Sequence, residues 1–147
     1  MALTLTREEA LQVESAIDAI LKREGNRFEF EYALVKNRRK LKAHNAETRE
    51  DISIMQKELR ALALEYCDKD DDGKPVMQNN MYAGLETGKH PEYDARTEEI
   101  HAAIKAKLKT PVELEPYLIK KEYLPSASLG TALIALMDFI EGEENGC

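Results

Sequence analysis

The stretch from Tyr32 to Tyr66, YALVKNRRKLKAHNAETREDISIMQKELRALALEY, decides the fold of this chain. It contains neither glycine nor proline, the two residues that most strongly disfavour a helix interior. Alanine, leucine and charged residues with long side chains fill it instead, a composition typical of long helices. The stretch therefore predicts one continuous helix, which would span roughly 50 Å at a rise of about 1.5 Å per residue.

Apolar residues recur along this helix in a heptad pattern, and a polar segment divides the pattern into two parts. Arg38, Asn45 and Thr48 occupy the apolar line in the middle of the helix. An apolar line interrupted in this way indicates that the two ends of the helix pack against different neighbours. The first helix can cover the first part and a C-terminal element must cover the second, and any part that extends beyond this cover would contact a partner protein. The residues predicted to make these contacts are Leu34, Leu41, Ile52, Met55, Leu59 and Leu62.

A shorter helix is predicted before the long one, over about residues 6–24. Thr6 and Glu9 have the spacing of a capping box, in which each side chain bonds the backbone of the other residue. The dipeptide Gly25-Asn26 is a typical stop signal. Residues 27–32 alternate charged and aromatic side chains and could form a strand. We favour the alternative, that they lead into the long helix, because no neighbouring segment carries a strand signal to pair with them.

Shorter elements are predicted in the second half of the chain. The glycine- and asparagine-rich segment 68–88 predicts a small β-hairpin, and a proline opens a helix over about 92–109. Residues 112–115, Val-Glu-Leu-Glu, alternate and indicate either a short strand or an extended connector. Ser126 or Ser128 is expected to cap a last helix.

These elements together predict a mainly α fold with a minor α+β component. We expect a helical hairpin with one long helix, a small β-hairpin or extended segment, and two C-terminal helices. A length of 147 residues fits a single domain over residues 1–147. Within it, residues 6–67 form the helical part, residues 68–147 form the small hairpin with its helices, and residues 141–147 form an acidic tail.

Net charge limits the classes of partner. The chain carries a net charge of −7, so nucleic acid and anionic membranes meet repulsion, and neither is expected as a partner. One cluster of five basic residues lies between Lys36 and Lys42. On a helix these residues spread around most of the circumference. The cluster therefore indicates a solvated polar stretch in preference to a phosphate-binding patch.

Cysteine content and apolar runs bear on the compartment. Cys67 and Cys147 are the two cysteines, too few for a disulfide framework, and we interpret them as free thiols in a reducing compartment. No secretory signal is recognisable, and no apolar run approaches the ~18 residues that a membrane span needs. The expectation is a cytoplasmic protein.

The sharpest local motif is the acidic segment DKDDDG at residues 68–73. Asp68, Asp70 and Asp72, followed by Gly73, match the first half of a calcium loop, in which alternating carboxylates face one cation. The second half does not match, because the last ligand position would be Asn79 in place of a bidentate glutamate. We interpret the segment as an exposed turn and keep the three aspartates as a weak calcium candidate.

Other residues with a chemically suggestive spacing have simpler explanations. Glu98 and His101 lie three apart on a helix, as in di-metal carboxylate sites, but no second such pair exists, so a surface pair is the better interpretation. Cys67 lacks the flanking signature of a nucleophile and is interpreted as a small buried residue. No glycine-rich phosphate loop follows a strand. We therefore predict no catalytic residue, no cofactor and no enzymatic activity.

Three segments define the layout of the chain. The segment FEFEYALVKNRRKLK at 28–42 enters the long helix, YCDKDDDGKP at 66–75 ends it in an acidic turn, and VELEPYLI at 112–119 is a short acidic and apolar stretch. Over most of its length this layout resembles a group of small proteins of unknown function encoded by tailed phages and prophages. The resemblance implies a viral origin and an architecture dominated by helices. It assigns no catalytic residues.

The expected function follows from the long helix, the acidic surface and the lack of a catalytic constellation. We predict a non-enzymatic phage protein that acts through protein–protein contacts, as a virion component or an assembly factor. Its partner is another protein or a second copy of the chain, since self-association would cover an apolar line that the first helix leaves open. The alternative is a small acidic inhibitor of a host defence or metabolic enzyme. The expected location is the cytoplasm of the host cell, with the virion as a second location.

Overall fold

A computed structural model describes residues 2–126 and 129–142 of the chain. The fold is mainly α, as the sequence predicts. Along the chain, the elements are strand β1 (Leu3–Thr6), helix α1 (Arg7–Leu21), helix α2 (Phe28–Tyr66), strands β2 (Met77–Gln78) and β3 (Met81–Tyr82), helix α3 (Pro91–Leu108), strand β4 (Pro111–Leu114) and helix α4 (Thr131–Ala135). Short 3₁₀ helices cover Lys121–Tyr123 and Met137–Phe139.

The chain divides into two compact units. Unit 1 is made of Met1–Thr48 and Leu108–Cys147, and unit 2 is made of Arg49–Lys107. The long helix α2 therefore contributes its first part to unit 1 and the rest to unit 2. This division differs from the predicted one after residue 67, because α2 changes neighbours at its polar segment and not at its end. The single domain expected from the length stays a prediction.

Local signals set the two ends of α1. The capping box is present: the Thr6 hydroxyl accepts a bond from the Glu9 N–H (3.1 Å), and the Glu9 carboxylate accepts one from the Thr6 N–H (3.0 Å). At the other end, the Ile20 carbonyl accepts bonds from the Arg23 N–H (3.0 Å) and from the Asn26 amide (3.0 Å), and these bonds close the last turn. The helix therefore ends at Leu21, earlier than the predicted residue 24.

The strands β1 and β4 form an antiparallel ladder in unit 1. Leu3 pairs with Leu114, and Leu5 pairs with Val112. The alternation at 112–115 thus marks a strand, the first of its two interpretations, whereas β1 was not predicted. Leu5, Val112 and Leu114 are buried, and the residues between them are not. This period of two is the pattern of a ladder with one face on the core.

The polar segment of α2 is buried against α1. The Asn45 amide donates to the Ala10 carbonyl (3.2 Å) and to the Glu14 carboxylate (2.9 Å). The Thr48 hydroxyl accepts a bond from the Arg7 guanidinium (2.8 Å). Since later residues of α2 meet earlier residues of α1, the two helices run antiparallel. Buried polar pairs of this kind fix the register of one helix against the other.

The apolar core of unit 1 includes two residues that the sequence assigned to an interaction surface. Leu34 and Leu41 are fully buried, so neither can contact a partner protein, and both are corrected from interaction residues to core residues. They face inward because they lie on the same side of α2 as the buried polar segment. The core consists of Leu5, Ala10, Val13, Ile17, Ile20, Phe30, Ala33, Leu34, Leu41, Val112, Leu114, Ile119, Leu129, Leu136 and Phe139.

In unit 2, the second part of α2 lies antiparallel to α3. Asp51 forms an ion pair with Lys107 (2.9 Å), and the ring of Tyr66 lies 5.7 Å from the ring of Tyr93. The start of this part of α2 therefore meets the end of α3, and its end meets the start of α3. The remaining predicted interaction residues are half-buried here, namely Ile52, Met55, Leu59 and Leu62.

The predicted hairpin of unit 2 is formed by β2 and β3. Met77 pairs with Tyr82, and Gln78 pairs with Met81. Asn79 and Asn80 make the turn with φ values of 52° and 64°. Two consecutive residues with positive φ are the requirement of a type I′ turn, which asparagine tolerates better than most residues.

The last helix begins later than the sequence predicts. Helix α4 covers only Thr131–Ala135, and its N-cap is Gly130, which has a φ of 59°. Glycine adopts this conformation without strain, so the chain changes direction there and the helix begins after it. The predicted cap at Ser126 is therefore wrong, and Ser128 lies outside the described residues. The predicted tail 141–147 also lies outside them beyond residue 142.

Candidate functional site: an aromatic groove in unit 1

The first turns of α2 carry aromatic rings on two faces. Phe30 is fully buried in the core, whereas Phe28 is 76% exposed and Tyr32 is 43% exposed. Phe28 and Tyr32 are four residues apart and share one face, with ring centroids separated by 5.9 Å. A phenylalanine this exposed contributes little hydrophobic stabilisation to the fold. The outer face of α2 is therefore a candidate contact surface.

The segment after β4 supplies the second wall of this surface. Tyr117 is 42% exposed and Leu118 is 52% exposed. The rings of Tyr117 and Tyr32 meet nearly at a right angle, with centroids 5.8 Å apart and an interplanar angle of 74°. This edge-to-face arrangement is a favoured geometry of aromatic pairs. Two segments that are distant in the sequence thus build one aromatic surface.

A buried amide, Asn37, holds the second wall against α2. Its Nδ2 donates to the carbonyls of Tyr117 (2.8 Å) and Ala33 (3.0 Å), and its Oδ1 accepts a bond from the Tyr117 N–H (2.7 Å). Asn37 is fully buried, so water does not compete for these bonds. The side chain of Asn37 thus bonds both the N–H and the carbonyl of Tyr117, as the backbone of a neighbouring β-strand would. Asn37 is therefore the residue that positions the Tyr117 ring.

Between the two walls lies a concave space of about 210 Å³, which we call the aromatic groove. Pockets that hold a drug-sized molecule usually measure ~300–1,000 Å³. The aromatic groove is smaller, and its size suits one apolar side chain of a partner better than a small-molecule substrate. Its lining consists of Phe28, Glu29, Tyr32, Ala33, Tyr117, Leu118, Lys120 and Tyr123.

Basic side chains stack on the rings of the aromatic groove. The Lys36 ammonium lies 5.4 Å from the centroid of the Tyr32 ring. The Arg27 guanidinium lies 5.0 Å from the centroid of the Tyr123 ring. Both distances are within the range of cation–π attraction. Arg27 also lies 3.7 Å from the carboxylate of Glu29, the acidic residue of the lining, and compensates its charge.

The acidic turn after α2 is closed by its own hydrogen bonds. The Asp70 carboxylate accepts bonds from the N–H groups of Asp72 and Lys74, both at 2.9 Å, as in an Asx turn. Asp68 lies 3.5 Å from the ammonium of Lys89 instead. Within residues 2–126 and 129–142, no group of three acidic, histidine or cysteine side chains is arranged to hold a metal ion. The calcium candidate is corrected accordingly, and the geometry is that of an exposed turn.

The other residues singled out by spacing belong to unit 2. Glu98 and His101 are both exposed on α3, as a surface pair would be. Cys67 is buried, and its Sγ lies 3.5 Å from the carbonyl of Leu64. This position is that of the small buried residue that the sequence predicts.

Comparisons with known proteins add no function. The chain matches no protein-family model, no curated protein and no solved structure. In the part of the chain that the structure describes, none of the helices has both the length and the apolar character that crossing a bilayer requires.

Sequence reasoning missed the aromatic groove because the heptad pattern marks the inner face of α2. The available signal was the alternation of Phe28, Phe30 and Tyr32. Once these residues are placed on a helix, two rings share one face while the third takes the opposite face. The link between Asn37 and Tyr117 spans 80 residues of sequence, and no local pattern reveals it.

Proposed function

We propose that this chain is a non-enzymatic protein that binds a protein partner through the aromatic groove, as a component of a phage virion or of its assembly. The observation that carries the proposal is the joint exposure of Phe28, Tyr32, Tyr117 and Leu118 around one groove. Aromatic side chains that surround a small depression are typical of the few residues that dominate the energy of an interface.

The fixed geometry of the rings supports this function. Asn37 bonds the backbone of Tyr117, and Tyr117 packs edge-on against Tyr32. The rings are therefore held in place before a partner arrives. Binding to such a surface loses less side-chain entropy than binding to one that must first become ordered.

The phage setting is supported by the resemblance to small phage and prophage proteins. Two of the three segments that carry the resemblance also build the aromatic groove. Segment 28–42 contributes Phe28, Tyr32 and Asn37, and segment 112–119 contributes Tyr117 and Leu118. The partner expected in this setting is a virion or assembly protein, or a second copy of the chain.

Site-specific photo-cross-linking tests the proposal in the cells in which the gene is naturally expressed. A photoreactive phenylalanine analogue is placed at Leu118, which is exposed beside the aromatic groove. The matched control carries the analogue at Glu8, an exposed position on α1 of the same unit. The adducts are separated by mass and identified by mass spectrometry.

The proposal predicts one dominant protein adduct from Leu118 that is absent from Glu8. A virion or assembly protein, or a second copy of the chain, in that adduct would support the phage setting. A host enzyme in its place would support the inhibitor alternative and refute the assembly role. Equal adducts from both positions, or none from Leu118, would refute the aromatic groove as a binding site.

A further inference from the structure

A line of aromatic and then basic residues runs along the outer face of α2. Phe28, Tyr32, Lys36 and Lys40 follow one another at intervals of four residues, which places neighbours on the same side of the helix. Lys120 belongs to the lining of the aromatic groove as well. A partner segment lying along this side of α2 would therefore meet two rings and then two ammonium groups.

In the described part of unit 1, these ammonium groups have no carboxylate partners. Among the described residues, no carboxylate lies within 4.0 Å of the side-chain nitrogen of Lys36, Lys40 or Lys120. Glu29, by contrast, is compensated by Arg27. The chain has a net charge of −7, yet this side of α2 presents positive charge to solvent. Its electrostatic complement is a segment that carries carboxylates.

Rings beside lysines also occur in proteins that bind single-stranded nucleic acid. In the aromatic groove, however, neighbouring rings contact each other at interplanar angles of 36° (Phe28 and Tyr32) and 74° (Tyr32 and Tyr117). They do not offer a series of open parallel faces on which successive bases could stack. The net charge of −7 also opposes the approach of a polyanion. A protein segment fits these features better.

We propose that the aromatic groove binds an acidic segment of the partner protein, with one apolar side chain in the groove beside the Tyr32–Tyr117 pair and carboxylates beside Lys36 and Lys120. This inference rests on the proposed function and names the chemistry of the partner. A volume of about 210 Å³ limits the apolar part to one anchoring side chain. The carboxylates set the orientation and the association rate, so binding weakens as salt is added.

Peptide selection on the purified full-length chain tests the inference. Random short peptides displayed on ribosomes are selected on the wild type and on Lys36→Glu/Lys120→Glu. The matched control is Lys57→Glu/Lys105→Glu, which changes the net charge equally at exposed positions of unit 2. Enriched peptides are synthesised and their Kd values are measured by fluorescence anisotropy at low and high salt. Circular dichroism verifies that each variant is folded.

The wild type and the control variant should enrich the same peptides, in which aspartate or glutamate flanks an apolar residue. Charge reversal at Lys36 and Lys120 should raise the Kd of these peptides by about tenfold or more, because it places like charges together. The reversed variant should itself enrich peptides that carry lysine or arginine. Equal binding to the wild type and to the reversed variant would overturn the inference.

A variant without the two tyrosine rings separates this inference from the proposed function. One outcome would refute the acidic partner and leave the proposed function standing. In it, the enriched peptides show no excess of aspartate or glutamate, and Tyr32→Ala/Tyr117→Ala no longer binds them. Peptides that bind this variant and the wild type with equal Kd values would refute both the acidic partner and the proposed function. A selection that enriches no peptide would do the same. The selected peptides are also competed with an oligothymidine. If the oligothymidine binds the wild type with a lower Kd than the peptides do, the choice of a protein segment is refuted.

Discussion

Replacing Asn37 by alanine tests whether this buried amide holds the second wall of the aromatic groove. The change removes two bonds to the Tyr117 backbone, of 2.7 and 2.8 Å, each with a net contribution of roughly 1 kcal/mol. The bond to the Ala33 carbonyl (3.0 Å) adds less, because a carbonyl within a helix already accepts a backbone bond. With the small cavity that the amide leaves behind, the expected loss in the free energy of unfolding is about 2–3 kcal/mol.

Urea unfolding followed by far-ultraviolet circular dichroism measures this loss. The matched control is Gln12→Ala, which removes an exposed amide from α1 of the same unit and should stay within about 0.5 kcal/mol of the wild type. Asn37→Asp is a second informative variant. It keeps the acceptor for the Tyr117 N–H but sets a carboxylate oxygen against two carbonyls, so its loss should be at least as large as that of Asn37→Ala.

Hydrogen exchange at the Tyr117 amide gives a local measurement of the same bonds. In the wild type this N–H is bonded to Asn37 and should exchange slowly, whereas in Asn37→Ala it should exchange many times faster. If Asn37→Ala unfolds at the same urea concentration as Gln12→Ala and the Tyr117 amide keeps its protection, Asn37 does not position the wall. The account of the aromatic groove would then be wrong.

Two other polar contacts give measurable expectations. Asn45→Leu removes two buried hydrogen bonds, to the Ala10 carbonyl (3.2 Å) and to the Glu14 carboxylate (2.9 Å), and should cost about 1–3 kcal/mol in urea unfolding; a loss no larger than that of Gln12→Ala would contradict the account. The hydrogen bond to Glu92 raises the pKa of Tyr66 above its ordinary 10.0. The contact therefore stabilises the protein below pH 10.0 and is lost as the pH rises through the folded pKa. In an ultraviolet titration, Tyr66→Phe should remove one tyrosine that ionises above pH 10.0. An unchanged titration curve above that pH would refute the raised pKa of Tyr66.

The parts of this fold that depend on residues close together in the sequence could be predicted from the sequence. The capping box of Thr6 and Glu9 involves only one helical turn, and the glycine-free stretch up to Tyr66 needs no distant partner to favour a helix. The turn at Asn79-Asn80 is set by the backbone preferences of two residues. In each case the physical cause lies within a few residues, so the pattern and the structure agree.

The parts that were missed depend on contacts between distant residues. Strand β1 covers four residues, Leu3–Thr6, whose apolar and polar side chains alternate; this short alternation was not used to predict a strand, and its pairing with β4 became visible only in the structure. The cap predicted at Ser126 was wrong because the conformation of Gly130 moves the start of α4. The acidic turn resembled the first half of a calcium loop in composition, but in the structure the Asp70 carboxylate accepts bonds from its own turn and Asp68 faces Lys89. Sequence alone contains the residues of the aromatic groove but not their proximity.

The discontinuous make-up of unit 1 has a consequence for biosynthesis. A ribosome that has reached Lys107 has already made all of unit 2, whereas unit 1 still lacks its second segment. The inserted unit is thus synthesised whole before β4 and Tyr117 are added. Because the second wall of the aromatic groove is translated after the first, a nascent chain that stops before Tyr117 presents Phe28 and Tyr32 without it. Under the proposed function, binding through the aromatic groove therefore requires that translation has passed Tyr117.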